Sequence, residues 1–147
     1  MLKAVIIDSS AVARGLLNTV LLDGGYDVVG QSHNCANAMT LLIKYQPHVV
    51  CITREAIEAE GSAVREIKTN WPKTLIFMVS SEFDAATVQA AHAMGVAGFI
   101  VKPFKADTVL NTIRNTVIAM VKRQRAAQAK AADGEGNDAA GEAPAAE

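Results

Sequence analysis

Pro47-His48-Val49-Val50-Cys51-Ile52-Thr53-Arg54-Glu55 is the stretch that decides the fold. From His48 to Ile52 it is an almost unbroken apolar, β-rich run, the pattern of a strand buried on both faces of a parallel sheet. The run stops at Thr53, where a loop to the next helix begins. In open α/β sheets, ligands and chemistry gather at the carboxyl ends of the central strands. Thr53 therefore stands where the most consequential side chain is expected. A neutral hydroxyl is a poor group for acid–base or metal work at that place.

Working outward, similar short β-rich runs occur at Ala4–Ile7, Asp27–Gly30, Thr74–Val79 and Gly98–Val101. Between them lie stretches of helical period at Val12–Leu22, Asn37–Tyr45, Ser62–Asn70, Asp84–Met94 and Ala106 to about Arg125. In the first of these, Val12, Leu16 and Val20, with Leu17 and Leu21 beside them, predict an apolar stripe. Gly24-Gly25, Gln46-Pro47, Trp71-Pro72, Gly95 and Gly98 punctuate the pattern. Gly95 fits the residue just past a helix, Ser9 or Ser10 and Asp84 fit N-caps, and Trp71 is expected to cover the end of the third helix. Five strand–helix units imply a parallel sheet with helices on both faces and right-handed connections. At five units the flavodoxin-like order 2-1-3-4-5 is favoured, with the first and third strands side by side at the switch point.

The 147 residues, half of them apolar, suit one domain with a substantial core. Net charge is −1, which makes no case for nucleic acid. The last 22 residues hold one Lys against five acids (Asp133, Glu135, Asp138, Glu142, Glu147). The reading is a folded body over residues 1–121, a helix extension over 122–132 and a disordered Ala- and acid-rich tail over 133–147. Cys35 and Cys51 form no CxxC and have no histidine at ligand spacing, so they read as reduced thiols, Cys51 in the core and Cys35 more exposed. An acid at position 8 comes too early for a signal-peptide apolar region, and no apolar run approaches the ~20 residues of a membrane span. A cytoplasmic protein is expected.

Four side chains fall at the carboxyl ends of the strands: Asp8, Thr53, Ser80 and Lys102. With these residues the chain resembles the response-regulator receiver family of two-component signalling, the chemotaxis-type (CheY-like) single-domain receivers in particular. Lys3-Ala4-Val5-Ile6-Ile7-Asp8-Ser9-Ser10 resembles that family's acidic first-strand motif. Gly25–Gly30 resembles its second strand, and Pro47–Thr53 the strand that delivers the phosphoacceptor. Val79-Ser80-Ser81 resembles the switch-hydroxyl strand, and Gly95–Phe104, with its Lys102-Pro103-Phe104, the closing segment. In register together, these pieces are far more specific than any of them alone.

The resemblance implies a chemistry. An aspartate after the third strand takes a phosphoryl group from a histidine kinase, paired acids after the first strand hold Mg²⁺, and a lysine and a hydroxyl contact the phosphoryl group. An aromatic on the fifth strand turns inward, and the surface of the fourth helix, fifth strand and fifth helix changes partners. This chain keeps part of the set. Asp8 is present but its usual acidic neighbour is Ser9, and the acceptor position is Thr53, which cannot form an acyl phosphate. Ser80, Lys102 and Pro103 match, and Phe99 occupies the aromatic position without a hydroxyl, which favours an inward ring. The expectation is a pseudo-receiver with no cofactor. Asp8 pairs with Lys102 or remains as a lone, weak Mg²⁺ ligand.

The remaining candidates read as structural. Thr53 is an ordinary strand end, and Glu55, Glu58 and Glu60 are a solvated loop, although Glu55 is the substitute acceptor that a working phosphorelay would need. His33, His48 and His92 form no constellation. Lys122, Arg123 and Arg125 are a solvated helix end. They are also the only basis for an RNA-binding, antiterminator-type reading, which the acidic tail opposes. No Gly-rich phosphate loop, triad or metal cluster argues for an enzyme. The expected partners are signalling proteins, a histidine kinase or a chemotaxis or motility component, met through the face of the fourth helix, fifth strand and fifth helix. Its small residues Ala90, Ala91, Ala93, Ala97 and Ala106 leave shallow relief, and the fifth helix is also a candidate dimer surface.

Overall fold

The computed structural model describes residues 2–136, with side chains through residue 129. Its elements run β1 (Lys3–Ile7), α1 (Ala11–Asp23), β2 (Asp27–Ser32), α2 (Cys35–Tyr45), β3 (Val49–Thr53), α3 (Arg54–Ala59), α4 (Ala63–Asn70), β4 (Leu75–Ser80), α5 (Ala85–Met94), β5 (Val96–Val101) and α6 (Ala106–Gly136). The strands form one parallel sheet in the order β2-β1-β3-β4-β5. This is the flavodoxin-like order expected from five units.

Strand alternation divides the core between the two faces of the sheet. Val5, Ile7, Val50, Ile52, Ile76 and Met78 pack with Ala38 and Leu42 of α2, Ile57 of α3, Val64 and Ile67 of α4 and Ala91 of α5. The alternate residues Ala4, Ile6, Cys51, Phe77 and Ile100 are equally buried, as are Leu17 and Leu21 of α1 and Val109 and Ile113 of α6. The closeness of α1 to α6 shows at Gly24, where a Cβ would lie 2.3 Å from a Leu110 methyl. All five residues of β3 are buried, the only way its unbroken apolar run is accommodated.

Several boundaries and one face differ from expectation. The stripe of α1 runs through Leu17 and Leu21, while Val12 (74% exposed) and Leu16 (57%) face solvent. The segment after Thr53 is the helix α3, not a loop, so the third helical region is two helices and the expected partner face becomes α5, β5 and α6. Strand β2 continues to Ser32, because Asp8 N–H donates to Ser32 O at 2.9 Å and extends the ladder. Helix α2 starts at Cys35 on an Asn34 cap, and β5 starts at Val96. Ser10, and not Ser9, caps α1. Asp84 and Gly95 cap α5 as expected, and Trp71, partly buried against the core, closes α4 with its N–H on Ile67 O.

Two compact units are present, one ending at Ile113 and one beginning at Arg114, with α6 running through the boundary. The sheet and every site residue below belong to the first. Within the expected tail, residues 133–136 are described as the end of α6. The rest of that tail, 137–147, lies outside the described residues. Among the described residues no helix is long and apolar enough to cross a membrane.

Candidate functional site

The parallel sheet brings the ends of β1, β3, β4 and β5 to one edge, as strand order requires. Asp8, the residue after β1, is 4% exposed. Its Oδ2 lies 3.0 Å from Lys102 Nζ, and its Oδ1 accepts the Ser10 N–H at 2.8 Å. Its backbone carbonyl accepts a hydrogen bond from the Arg14 guanidinium. Both carboxylate oxygens and the carbonyl are therefore engaged by groups of the chain itself. Lys102 is held from the other side, its N–H donating to Ser80 O at 3.0 Å, and its peptide bond to Pro103 is cis.

Thr53 ends β3 next to β1, where Ile7 pairs with Ile52, and next to β4, where it pairs with Val79. It is 3% exposed, and its hydroxyl accepts the Ala56 N–H at 3.2 Å. The side chain is the N-cap of α3. Ser9 is exposed. The Ser80 hydroxyl donates to Glu82 O at 3.0 Å and accepts the Glu82 N–H at 3.2 Å, so it closes the turn after β4 on itself.

Glu55 and Glu58 lie on α3 and are exposed, Glu58 bonded to Arg54 at 3.0 Å; Glu60 ends that helix. The solvated loop predicted for these residues is a helix because Thr53 caps it and Ile57 anchors it in the core. Arg54 also reaches toward Glu82 O at 3.5 Å. The Asp84 carboxylate is held below its ordinary value of 3.8 by the Thr87 N–H that it accepts, with the Arg54 charge adding to the effect.

Phe99 is partly buried against the core, its ring edge-to-face with Phe83 (5.2 Å) and with His92 (5.1 Å). His92 is further fixed by Nδ1 at 3.1 Å from Val96 O. Beside Phe99 a groove of about 490 Å³ runs along β5 to the start of α6, lined by Val101, Pro103, Lys105 and Val109 among others. Val101 is 52% exposed there.

Sequence reasoning gave Arg14 and Phe83 no role and read His92 only as one of three scattered histidines. Arg14 was legible in principle, since it lies one turn past the Ser10 cap and six residues after Asp8. Phe83 and His92 meet Phe99 only through the tertiary fold. The three histidines form no cluster: His48 accepts the Lys3 N–H at 3.0 Å, and His33 lies beside Asn34. Cys35, expected to be more exposed, is 4% exposed because α3 covers it, and its thiol lies 3.7 Å from Ala56 O. Burial, with Glu60 nearby, pushes that thiol up to about 11, and complete burial pushes Cys51 up to about 12. Both thiols are buried, the setting of a structural cysteine.

The profile of the response regulator receiver domain matches residues 4–114. The chain is 32% identical over 116 residues to the chemotaxis protein CheY of Bacillus subtilis (strain 168), covering 78% of this chain and 97% of that protein. It is also 32% identical over 127 residues to a protein-glutamate methylesterase/protein-glutamine glutaminase of Halobacterium salinarum. That match covers 84% of this chain and 36% of the larger protein. Among solved structures, Vibrio cholerae chemotaxis protein CheY4 superposes with a TM-score of 0.72 at 25% identity, covering 79% of this chain and 98% of that one.

Proposed function

The chain belongs to the response regulator receiver domain family, and we propose that within it the protein is a pseudo-receiver: a CheY-like cytoplasmic adaptor, not an enzyme, that signals through protein–protein contacts without aspartyl phosphorylation. The observation that carries this reading is the state of position 53. A receiver nucleophile must be a carboxylate open to an incoming phosphoryl group. Here the side chain is a buried hydroxyl whose oxygen accepts the N–H of Ala56.

The residues present do not fit Mg²⁺. A hard divalent cation takes about six oxygen ligands, with carboxylates prominent among them. The edge offers one carboxylate, Asp8, and its Oδ2 is already paired with the Lys102 ammonium at 3.0 Å. Among the described residues no group of three His, Cys, Asp or Glu side chains converges, and no buried side-chain polar atom is left without a partner for a ligand to satisfy. Asp8 and Lys102 act instead as a structural bridge between the ends of β1 and β5. Glu55, the one substitute acceptor, is exposed on α3.

Output in this reading comes from the face of α5, β5 and α6, beside the partly buried Phe99. Its partner is a signalling protein, a histidine kinase or a chemotaxis or motility component, and α6 is a candidate dimer surface. The test is intact mass after incubation with acetyl phosphate and Mg²⁺, for the wild type and for Thr53→Asp. The reading predicts no phosphoryl adduct on the wild type. A stoichiometric adduct on the wild type overturns it and points to Glu55 or Asp8 as acceptor.

A further inference from the structure

At the opposite edge of the sheet from β5, a second groove of about 430 Å³ opens at the end of β2, between α1 and α2. Arg14 lines it from α1, Gln31 and His33 from the end of β2, and Asn37, Thr40 and Leu41 from α2. None of these side chains is acidic, and their polar groups are hydrogen-bond donors or can act as donors. One nitrogen of Arg14 donates to the carbonyl of Asp8, which anchors the guanidinium and leaves its other N–H groups to the groove. The tautomer of His33 follows from its neighbour. Asn34 Oδ1 accepts the Asn37 N–H at 2.8 Å, so the atom 3.1 Å from His33 Nε2 is the amide nitrogen, a donor only. His33 Nε2 must accept, and the ring proton sits on Nδ1, a further donor. Amides at Gln31 and Asn37 and the Thr40 hydroxyl complete the set.

A guanidinium among neutral donors, in a groove lined by no carboxylate, is complementary to a phosphate dianion. The volume lies at the small end of organic-ligand pockets, roughly 300–1,000 Å³, and exceeds what a bare anion fills. Leu41 supplies an apolar wall. Gly30 makes room for it, since a Cβ there would lie 2.8 Å from both Leu41 methyl groups. We propose that this groove binds a small phosphate monoester, its phosphate on Arg14 and His33 and its organic part against Leu41. The site is independent of whether Thr53 accepts a phosphoryl group. Through the Arg14–Asp8 hydrogen bond it reaches the Asp8–Lys102 bridge, and so gives a receiver without an acceptor a ligand input.

The test is an amide chemical-shift titration of the full chain with adenosine monophosphate, with inorganic phosphate, and with sodium chloride at matched ionic strength. The expected result is a saturable shift at Arg14, His33, Asn37 and Thr40 with the nucleotide, at least fivefold tighter than with inorganic phosphate. Binding weakens at least tenfold in Arg14→Gln. It weakens equally in Thr40→Glu, a change at an exposed position of α2 that leaves the Asp8 contacts alone. Lys105→Gln, in the other groove, leaves it unchanged. Shifts no different from those with chloride, equal affinity for phosphate and nucleotide, or undiminished binding in Thr40→Glu would each overturn the proposal.

Discussion

Replacing Thr53 with Val keeps a buried β-branched side chain and removes only the oxygen that caps α3. An N-cap is worth about 0.5–2 kcal/mol. This one belongs in the upper half of that range, because Thr53 is 3% exposed and solvent has little access to replace the lost acceptor. Helix α3 has only six residues and carries the buried Ile57, so fraying at its start reaches the core. The expected loss is about 1–2 kcal/mol, read as a lower urea midpoint at unchanged slope. Thr53→Asp separates capping from charge. Aspartate caps as well as threonine, but it places a second carboxylate beside Asp8, by extension of the Ile7–Ile52 register. That variant gains a Mg²⁺ site: at ten times its dissociation constant, Mg²⁺ stabilises it by about 1.4 kcal/mol. The wild type gains nothing. A neutral Thr53→Val, or equal stabilisation of the wild type by Mg²⁺, refutes the reasoning.

Three further outcomes follow from the same geometry. Leu17→Ala, at a position 2% exposed, costs about 2–5 kcal/mol, whereas Leu16→Ala, at 57% exposed, stays within about 0.5 kcal/mol; urea unfolding of the two variants checks the rotation of α1. Lys102→Met leaves the Asp8 carboxylate buried without its counter-ion and costs on the order of 2 kcal/mol, less than a fully buried pair because Lys102 is 28% exposed. The double variant with Asp8→Asn recovers most of that loss in the same assay. Because the Asp84 pKa is depressed in the folded state, its contribution is fully present above the ordinary value of 3.8 and is lost as pH falls through the lower folded value. The stability difference between the wild type and Asp84→Asn, which keeps a capping side chain, is therefore flat near neutrality and shifts against the wild type on acidification.

How much was legible depended on whether a residue's partners were near in sequence. The five strands followed from apolar runs and punctuation, because a parallel sheet buries its strands on both faces and leaves a plain signature. Their order has no such local signature and rests on the arrangement favoured at five units. The convergence of Asp8, Thr53, Ser80 and Lys102 at one edge followed from topology in the same way. Helix α1 was harder: with Leu16-Leu17 and Leu21-Leu22 in tandem, apolar residues cover more than half its circumference, and period alone cannot fix its rotation. Helix α3 was hidden because Arg54–Ala59 has one large apolar residue, Ile57, and an Arg54–Glu58 pair that resembles a solvated loop. Missing α3 also hid the burial of Cys35, whose cover it supplies. The clamp of Phe83 and His92 on Phe99 joins three elements and has no local signal.

The central claim is that the site at the end of β3 has no place for a phosphoryl group. An acyl phosphate can hydrolyse before it is weighed, so the most direct measurement uses a non-hydrolysing mimic: amide spectra with Mg²⁺ and beryllofluoride, which mimics a phosphoryl group on a carboxylate. The account predicts no saturable change at Asp8, Thr53, Ser80 or Phe99 in the wild type, and a saturable change at those residues in Thr53→Asp. A saturable, Mg²⁺-dependent change in the wild type would contradict it.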